Sequence, residues 1–197
     1  MTQWSIIPGE TPIDPSKLKH KYKWIKTRSE LNPIEFAAIL DVNRKYFGSR
    51  SRRILFELEW ITKLHGEMFG SIWEWGGQYR TRNFNVGIPW NQCQTSLLNM
   101  LEDLKVWDVS LLNQATRLHH RAVQIHPFEN GNGRWARLLS NLWLNQNDHA
   151  IVVWPDETIG TKSEVREEYL VALHADDDGD ITPLHDLHER FLKSSDT

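Results

Sequence analysis

The sequence predicts a mostly α-helical single domain carrying one short β-hairpin flap. Apolar residues recur at three- and four-residue steps along most of the chain, the mark of helices with one buried face. Cap and stop residues bracket those stretches. One glycine-bounded stretch, Gly76 to Gly87, breaks the helical period with short β-prone pieces and reads as the flap. The 197 residues suit one domain at about 100–200 residues each. That length buries a core without disulfide or metal staples.

Residues 1–30 read as an N-terminal arm, loosely ordered or packed on the domain. Pro8, Pro12 and Pro15 interrupt any period there, and the basic run Lys17, Lys19, His20, Lys21, Lys23 reads as a solvated face. The helical domain takes residues 31–197. Its first helix opens at Asn32, with Pro33 in the first helical position and Glu35 in the third, and stops at Gly48. The second lines up Ile54, Leu58, Ile61, Leu64 and Met68 on one stripe. The third follows Thr95 or Ser96, with Leu97, Leu98, Leu101 and Leu104. Ser110 caps the fourth, which turns Leu111, Ala115, Leu118, Ala122 and Ile125 inward. The fifth starts near Arg134 and buries Leu138, Leu139, Leu142 and Trp143. Thr161 and Glu164 frame a capping box for the sixth, and Thr182-Pro183 opens the seventh. The ten Trp read as core and interface anchors.

Composition narrows the function. With 40% hydrophobic and 25% charged residues the chain falls outside the disordered and collagen-like classes. A net charge of −3 gives no general electrostatic footprint for nucleic acid. No apolar run approaches the roughly 18 residues of a membrane span, and Met1 to Glu10 lacks a signal-peptide pattern. A single cysteine, Cys93, forms no internal disulfide, which suits a reducing, cytoplasmic setting.

The stretch that carries chemistry is His126-Pro127-Phe128-Glu129-Asn130-Gly131-Asn132-Gly133-Arg134-Trp135-Ala136-Arg137. Pro127 pushes His126 out of helical dihedrals, so the preceding helix ends near Ile125 and His126 stands at its mouth. Gly131 and Gly133 around Asn132 allow a tight turn whose backbone N–H groups point one way. The helix that follows adds unpaired N–H donors and a positive dipole end, which together make an anion site. Arg134 and Arg137 lie three apart on one face of its first turn, and two forked cations there suit a polyphosphate. Phe128 is the apolar peg of the loop. His126 is placed to take a proton from an incoming nucleophile.

These residues resemble the Fic family signature, His-x-Phe-x-(Asp/Glu)-Gly-Asn-Gly-Arg-x-x-Arg, failing it only at the acidic position. Trp73-Glu74-Trp75-Gly76-Gly77-Gln78-Tyr79-Arg80 resembles the family's passage into the flap, and Tyr169 to Leu173 its closing helices. The likeness covers about residues 50–192; within the family the chain most resembles the group called mobile mystery protein B. The resemblance implies a Fic-type helical domain that transfers AMP from ATP, with Mg²⁺, to a Ser, Thr or Tyr hydroxyl of a target protein. On it, His126 matches the general base, and Gly131, Asn132, Gly133, Arg134 and Arg137 match the holders of the nucleotide phosphates. Phe128 matches the buried anchor. The flap, Gln78, Tyr79, Arg80, Thr81, Arg82, Asn83, Phe84, Asn85 and Val86, would dock the target by strand pairing. The metal-ligand position is Asn130, an uncharged amide where Mg²⁺ favours a carboxylate, and Glu129 one residue earlier is expected to point elsewhere. That departure keeps an alternative open: a catalytically weakened Fic domain serving as a nucleotide- or peptide-binding module.

Many Fic proteins carry an inhibitory helix, (Ser/Thr)-x-x-x-Glu-(Gly/Asn), whose Glu pairs with the second motif arginine. No stretch here fits it, so the expected restraint is a separate antitoxin-like partner acting on Arg137, as for a toxin. Three further candidates read as structural. His185 and His188 are surface or interface histidines, His119-His120 packing and solvent face, and Asp176-Asp177-Asp178-Gly179-Asp180 a helix–helix turn rather than a calcium loop.

Overall fold

A computed structural model describes residues 4, 13–48, 53–155 and 163–193. Among them run seven α-helices: α1 Arg28–Phe47, α2 Leu58–Phe69, α3 Cys93–Val106, α4 Leu111–Ile125, α5 Asn132–Gln146, α6 Glu164–Asp177 and α7 Thr182–Arg190. The predicted α-class holds. The largest helix–helix contact is between α4 and α5; α1 and α2 pair and lean on α5, α3 packs on α4, and α6 and α7 pair and dock on α4. One core, including Leu64, Met68, Phe69, Leu118, Phe128, Trp135 and Leu139, fills the space under the motif loop. Smaller clusters around Leu173, Leu184 and Leu187, and around Leu112, Leu144 and Val152, seat the remaining helices. None of the described helices is long and apolar enough to cross a membrane.

Boundaries follow local chemistry. Ser110 caps α4 as predicted, accepting from Asn113 N at 3.3 Å. The α1 helix starts four residues before Asn32, because Thr27 and Glu30 form a complete capping box and satisfy two end donors at once. Pro33 therefore sits inside the helix rather than opening it. The α2 stripe begins at Leu58; Ile54 stays outside, its N–H donating to Gln146 Oε1 at 2.6 Å. The α3 helix begins at Cys93, two residues before Thr95. Ser163 caps α6, accepting from Arg166 N, while Thr161 lies outside the described residues. From the arm, Leu18 and Ile25 are buried in the core, and Leu18 bridges Trp73.

The flap is a correction. No hairpin forms among Gln78 to Val86; the segment's backbone pairing is a single bridge, Tyr79 to Phe128, with Arg80 N donating to Pro127 O at 2.9 Å. Beyond it the chain bends around the buried Arg80 side chain. Its guanidinium takes the carbonyls of Arg82 (2.9 Å) and Ile88, which a hairpin would spend across the turn. A charged five-donor fork outcompetes one ladder of neutral bonds.

Candidate active site

The site is assembled where α4 ends and α5 begins. His126 closes α4 in the left-handed region, φ 51° and ψ 58°, since the following proline disfavours the helical alternative. A non-glycine residue held there stores about 1–3 kcal/mol, and the surroundings enforce it. Arg80 Nε holds the His126 carbonyl at 2.6 Å, and Gly87 lies so close that a Cβ on it would stand 2.5 Å from His126 Cβ. Burial, with the Arg80 charge adding to it, pushes the imidazole pKa down to about 4; a ring hydrogen bond to the Val123 backbone opposes the shift. The ring is thus neutral at ordinary pH. One N–H engaged with Val123 leaves the other nitrogen its lone pair.

The loop after His126 is built from inside. Phe128 is fully buried, stacked on His65 at 3.7 Å and edge-on to Trp135 at 5.0 Å. The Asn132 side chain grips the same residue twice, accepting from Phe128 N at 2.9 Å and donating to Phe128 O at 3.0 Å. What Asn132 leaves for a ligand is therefore its backbone N–H. Gly131 adopts φ 78°, and a Cβ there would strike the Phe69 ring at 2.6 Å. His65 ties the loop to the flap's root: its Nδ1 accepts from Gly77 N and its Nε2 donates to the Asn130 carbonyl, both at 3.0 Å. Burial drives the His65 pKa down to about 3, which keeps that pair of bonds intact.

Charged residues divide into three directions. Glu129 turns outward to Arg82 at 3.1 Å, as the sequence implied. Arg134 donates to Glu35 of α1 at 2.7 Å and lies over the Phe69 ring; the other Glu35 oxygen accepts from Trp73 Nε1 at 2.6 Å. Arg137 is buried, its guanidinium over Tyr169 at 5.4 Å and Trp154 at 5.9 Å. His126, Asn130 to Arg134 and Arg137 all border one cavity of about 1600 Å³, which the end of the flap (Asn85 to Ile88) and α6 also line. Gln78 to Phe84 do not border it.

A divalent metal finds a poor donor set among the described residues of the loop. Asn130 Oδ1 already accepts from Gly131 N at 2.7 Å, and the neighbouring carboxylate is paired with Arg82. An engaged neutral amide is a weak ligand for Mg²⁺.

Sequence reasoning missed Glu35, His65 and Tyr169. Glu35 stands 99 residues from its partner, and nothing in a helical stripe marks one acidic residue as buried. His188, read as a surface or interface residue, and His119, read with its neighbour as packing and solvent face, are both fully buried and bonded to each other at 2.9 Å. His120 is buried too, bonded to Asp177 at 2.9 Å.

A helix mouth, a glycine turn and two arginines thus border one cavity. Residues 55–144, a little under half of the chain, match the model of the Fic/DOC family. It is 32% identical over 114 residues to protein adenylyltransferase fic-1 of Caenorhabditis elegans, covering 54% of this chain and 21% of that protein. Protein adenylyltransferase Fic of Drosophila mojavensis is 28% identical over 153 residues, 73% of this chain and 29% of its own length. This chain thus spans less than a third of the curated relatives it matches. Among solved structures, C. elegans Fic-1 superposes with a TM-score of 0.66 at 24% identity, covering 95% of this chain and 51% of that one. BepC of Bartonella tribocorum, solved with bound AMPPNP, gives 0.66 at 19% identity over 95% of both chains.

Proposed function

We propose that this protein is an adenylyltransferase that moves AMP from ATP to a Ser, Thr or Tyr hydroxyl of a target protein, with His126 as general base. The observation that carries this reading is the shared cavity: the neutral imidazole of His126 and the N-terminus of α5 with Arg137 face the same space. The target hydroxyl gives its proton to the ring nitrogen not bonded to Val123 as its oxygen attacks the α-phosphorus in line. The bond from the α-phosphorus to the bridging oxygen breaks, and pyrophosphate leaves. The N–H groups of Asn132 and Gly133 and the guanidinium of Arg137 face the charge on the phosphates, where preorganised donors count most. Arg134 has further N–H groups beyond the one on Glu35, so it can hold Glu35 and a phosphate together. The exposed run of the flap, Thr81 to Asn83, and the neighbouring Asn85 would meet the target. Mg²⁺ carries no step in this reading, because the donor set of the loop does not fit it.

ATP labelled at the α- or at the γ-phosphate, incubated with lysate proteins, tests the reading. Label from the α position alone, lost by 10²-fold or more in His126→Ala, is the expected result. Label from the γ position would make the protein a kinase and overturn it. The position of Asn130 favours a second reading, a nucleotide-binding module with weak turnover; ATP binding without transfer from either position is its signature. Restraint by a separate antitoxin-like partner that brings a carboxylate to Arg137 belongs to the first reading. Its check is whether such a partner, added to the purified protein, abolishes transfer.

A further inference from the structure

Behind Arg137 lies a buried chain of three side chains drawn from α4, α6 and α7. His188 Nε2 meets His119 Nδ1 at 2.9 Å, and His119 Nε2 meets the Tyr169 hydroxyl at 2.9 Å. Trp154 packs edge-on against all three rings. The far end of the chain, His188 Nδ1, is buried with no hydrogen-bond partner. The near end borders the cavity: a Cβ on Gly133, in the first turn of α5, would stand 3.8 Å from the Tyr169 hydroxyl.

We propose that Tyr169 is a further nucleotide-binding residue, donating its hydroxyl proton to a phosphate oxygen at the start of α5, and that His119 and His188 are positioning residues that keep this proton turned into the cavity. The nature of the ligand rests on the function proposed above; the proton count does not. Burial holds both imidazoles neutral, His188 down to about 3 and His119 well below its ordinary value, so each carries one N–H. Two arrangements satisfy both contacts. In one, His119 donates to His188, whose remaining N–H then sits on Nδ1 without an acceptor, and Tyr169 spends its proton on His119. In the other, His188 Nε2–H donates to His119, His119 Nε2–H donates to the Tyr169 oxygen, and the phenol proton is released toward the cavity. A buried N–H without an acceptor is the rarer defect, a bare lone pair the milder one. The second arrangement therefore holds, and the fold delivers a donor at the place where the first turn of α5 already presents N–H groups.

Long-range ¹H–¹⁵N correlation of the imidazoles reads the arrangement directly, in the intact protein and without activity. Protonation of both His119 and His188 on Nε2 is expected; a proton on His119 Nδ1 overturns the proposal. Calorimetric titration with a non-hydrolysable ATP analogue then tests the donor. Tyr169→Phe keeps the ring beneath Arg137 and is expected to bind about 10-fold more weakly, the scale of one bond to a charged oxygen, while adenosine binding stays unchanged. His188→Leu removes the N–H that fixes the His119 tautomer, so His119 divides between its two forms and a smaller loss, about 2-fold, is expected. His188→Gln, whose amide N–H replaces Nε2–H, is expected to restore affinity; a merely structural role would lower stability in both variants and leave affinity alone. A Tyr169→Phe protein that binds the analogue as the wild type does overturns the donor role. Absence of binding by the wild type itself sinks the nucleotide reading instead, and the tautomer measurement then decides the histidine chain on its own.

Discussion

The two walls of the cavity are held by opposite means. The front wall, from His126 to Asn132, is fixed by side chains that grip backbone: Arg80 on four carbonyls, His65 on one N–H and one carbonyl, Asn132 on both polar groups of Phe128. The back wall, Arg137 with Tyr169, His119, His188 and Trp154, is fixed by side chain against side chain across elements up to 69 residues apart. The difference teaches where tolerance lies. A front-wall variant exposes buried peptide groups to no partner, whereas a back-wall variant re-sorts protons and rings that can take more than one arrangement.

The sharpest way to break the contrast is Arg80→Ala. It strands carbonyls on both sides of the flap, and a loss of about 4 kcal/mol is expected in urea unfolding, from bonds to a charged donor worth about 1.5–3 each. A loss under about 1 kcal/mol would show the front wall to be as adaptable as the back. Acid comes next and bears on both walls. His65, His119, His126 and His188 are all held neutral when folded, while the unfolded chain protonates near pH 6.5. As pH falls below 6.5 the unfolded state takes up protons that the folded state refuses. Stability therefore drops through this window and levels only near pH 3 to 4, where the folded groups titrate. A melting temperature lower by about 5–10 °C at pH 4.5 than at pH 7 is expected by scanning calorimetry. On the function proposed above, transfer is expected to keep the His126 base unprotonated down to about pH 4.

Asn132→Ala removes both bonds to Phe128 and leaves a buried N–H and C=O unpaired; about 2 kcal/mol is expected by the same unfolding assay. Ser110→Ala lies far from either wall and removes only the cap of α4. It sets the baseline at about 1 kcal/mol, with transfer activity unchanged.

How much of this was legible follows from distance along the chain. Ser110 capping α4, the end of α4 at His126 and the turn into α5 rest on neighbours within a few residues, and sequence shows such signals plainly. The start of α1 went astray because two cap signals stood five residues apart, and only the stronger one, with reciprocal bonds, forms. The hairpin failed for a related reason: β-prone residues and flanking glycines describe a backbone able to pair, but not the arginine that takes its carbonyls first. Glu35 with Arg134, and His119 with His188, are contacts of the folded topology alone. Asn130 was visible as a departure, and the structure adds that its amide oxygen is already engaged by the next N–H.

Because one guanidinium gathers the carbonyls around it, the bend from Arg80 to Ile88 owes its shape to main-chain atoms. The exposed side chains at Thr81 and Asn85 carry little of that burden. Lineages descended from such a protein could rewrite these letters freely while the loop kept its course. A laboratory library confined to these two positions would then vary the surface of the loop on an unaltered backbone.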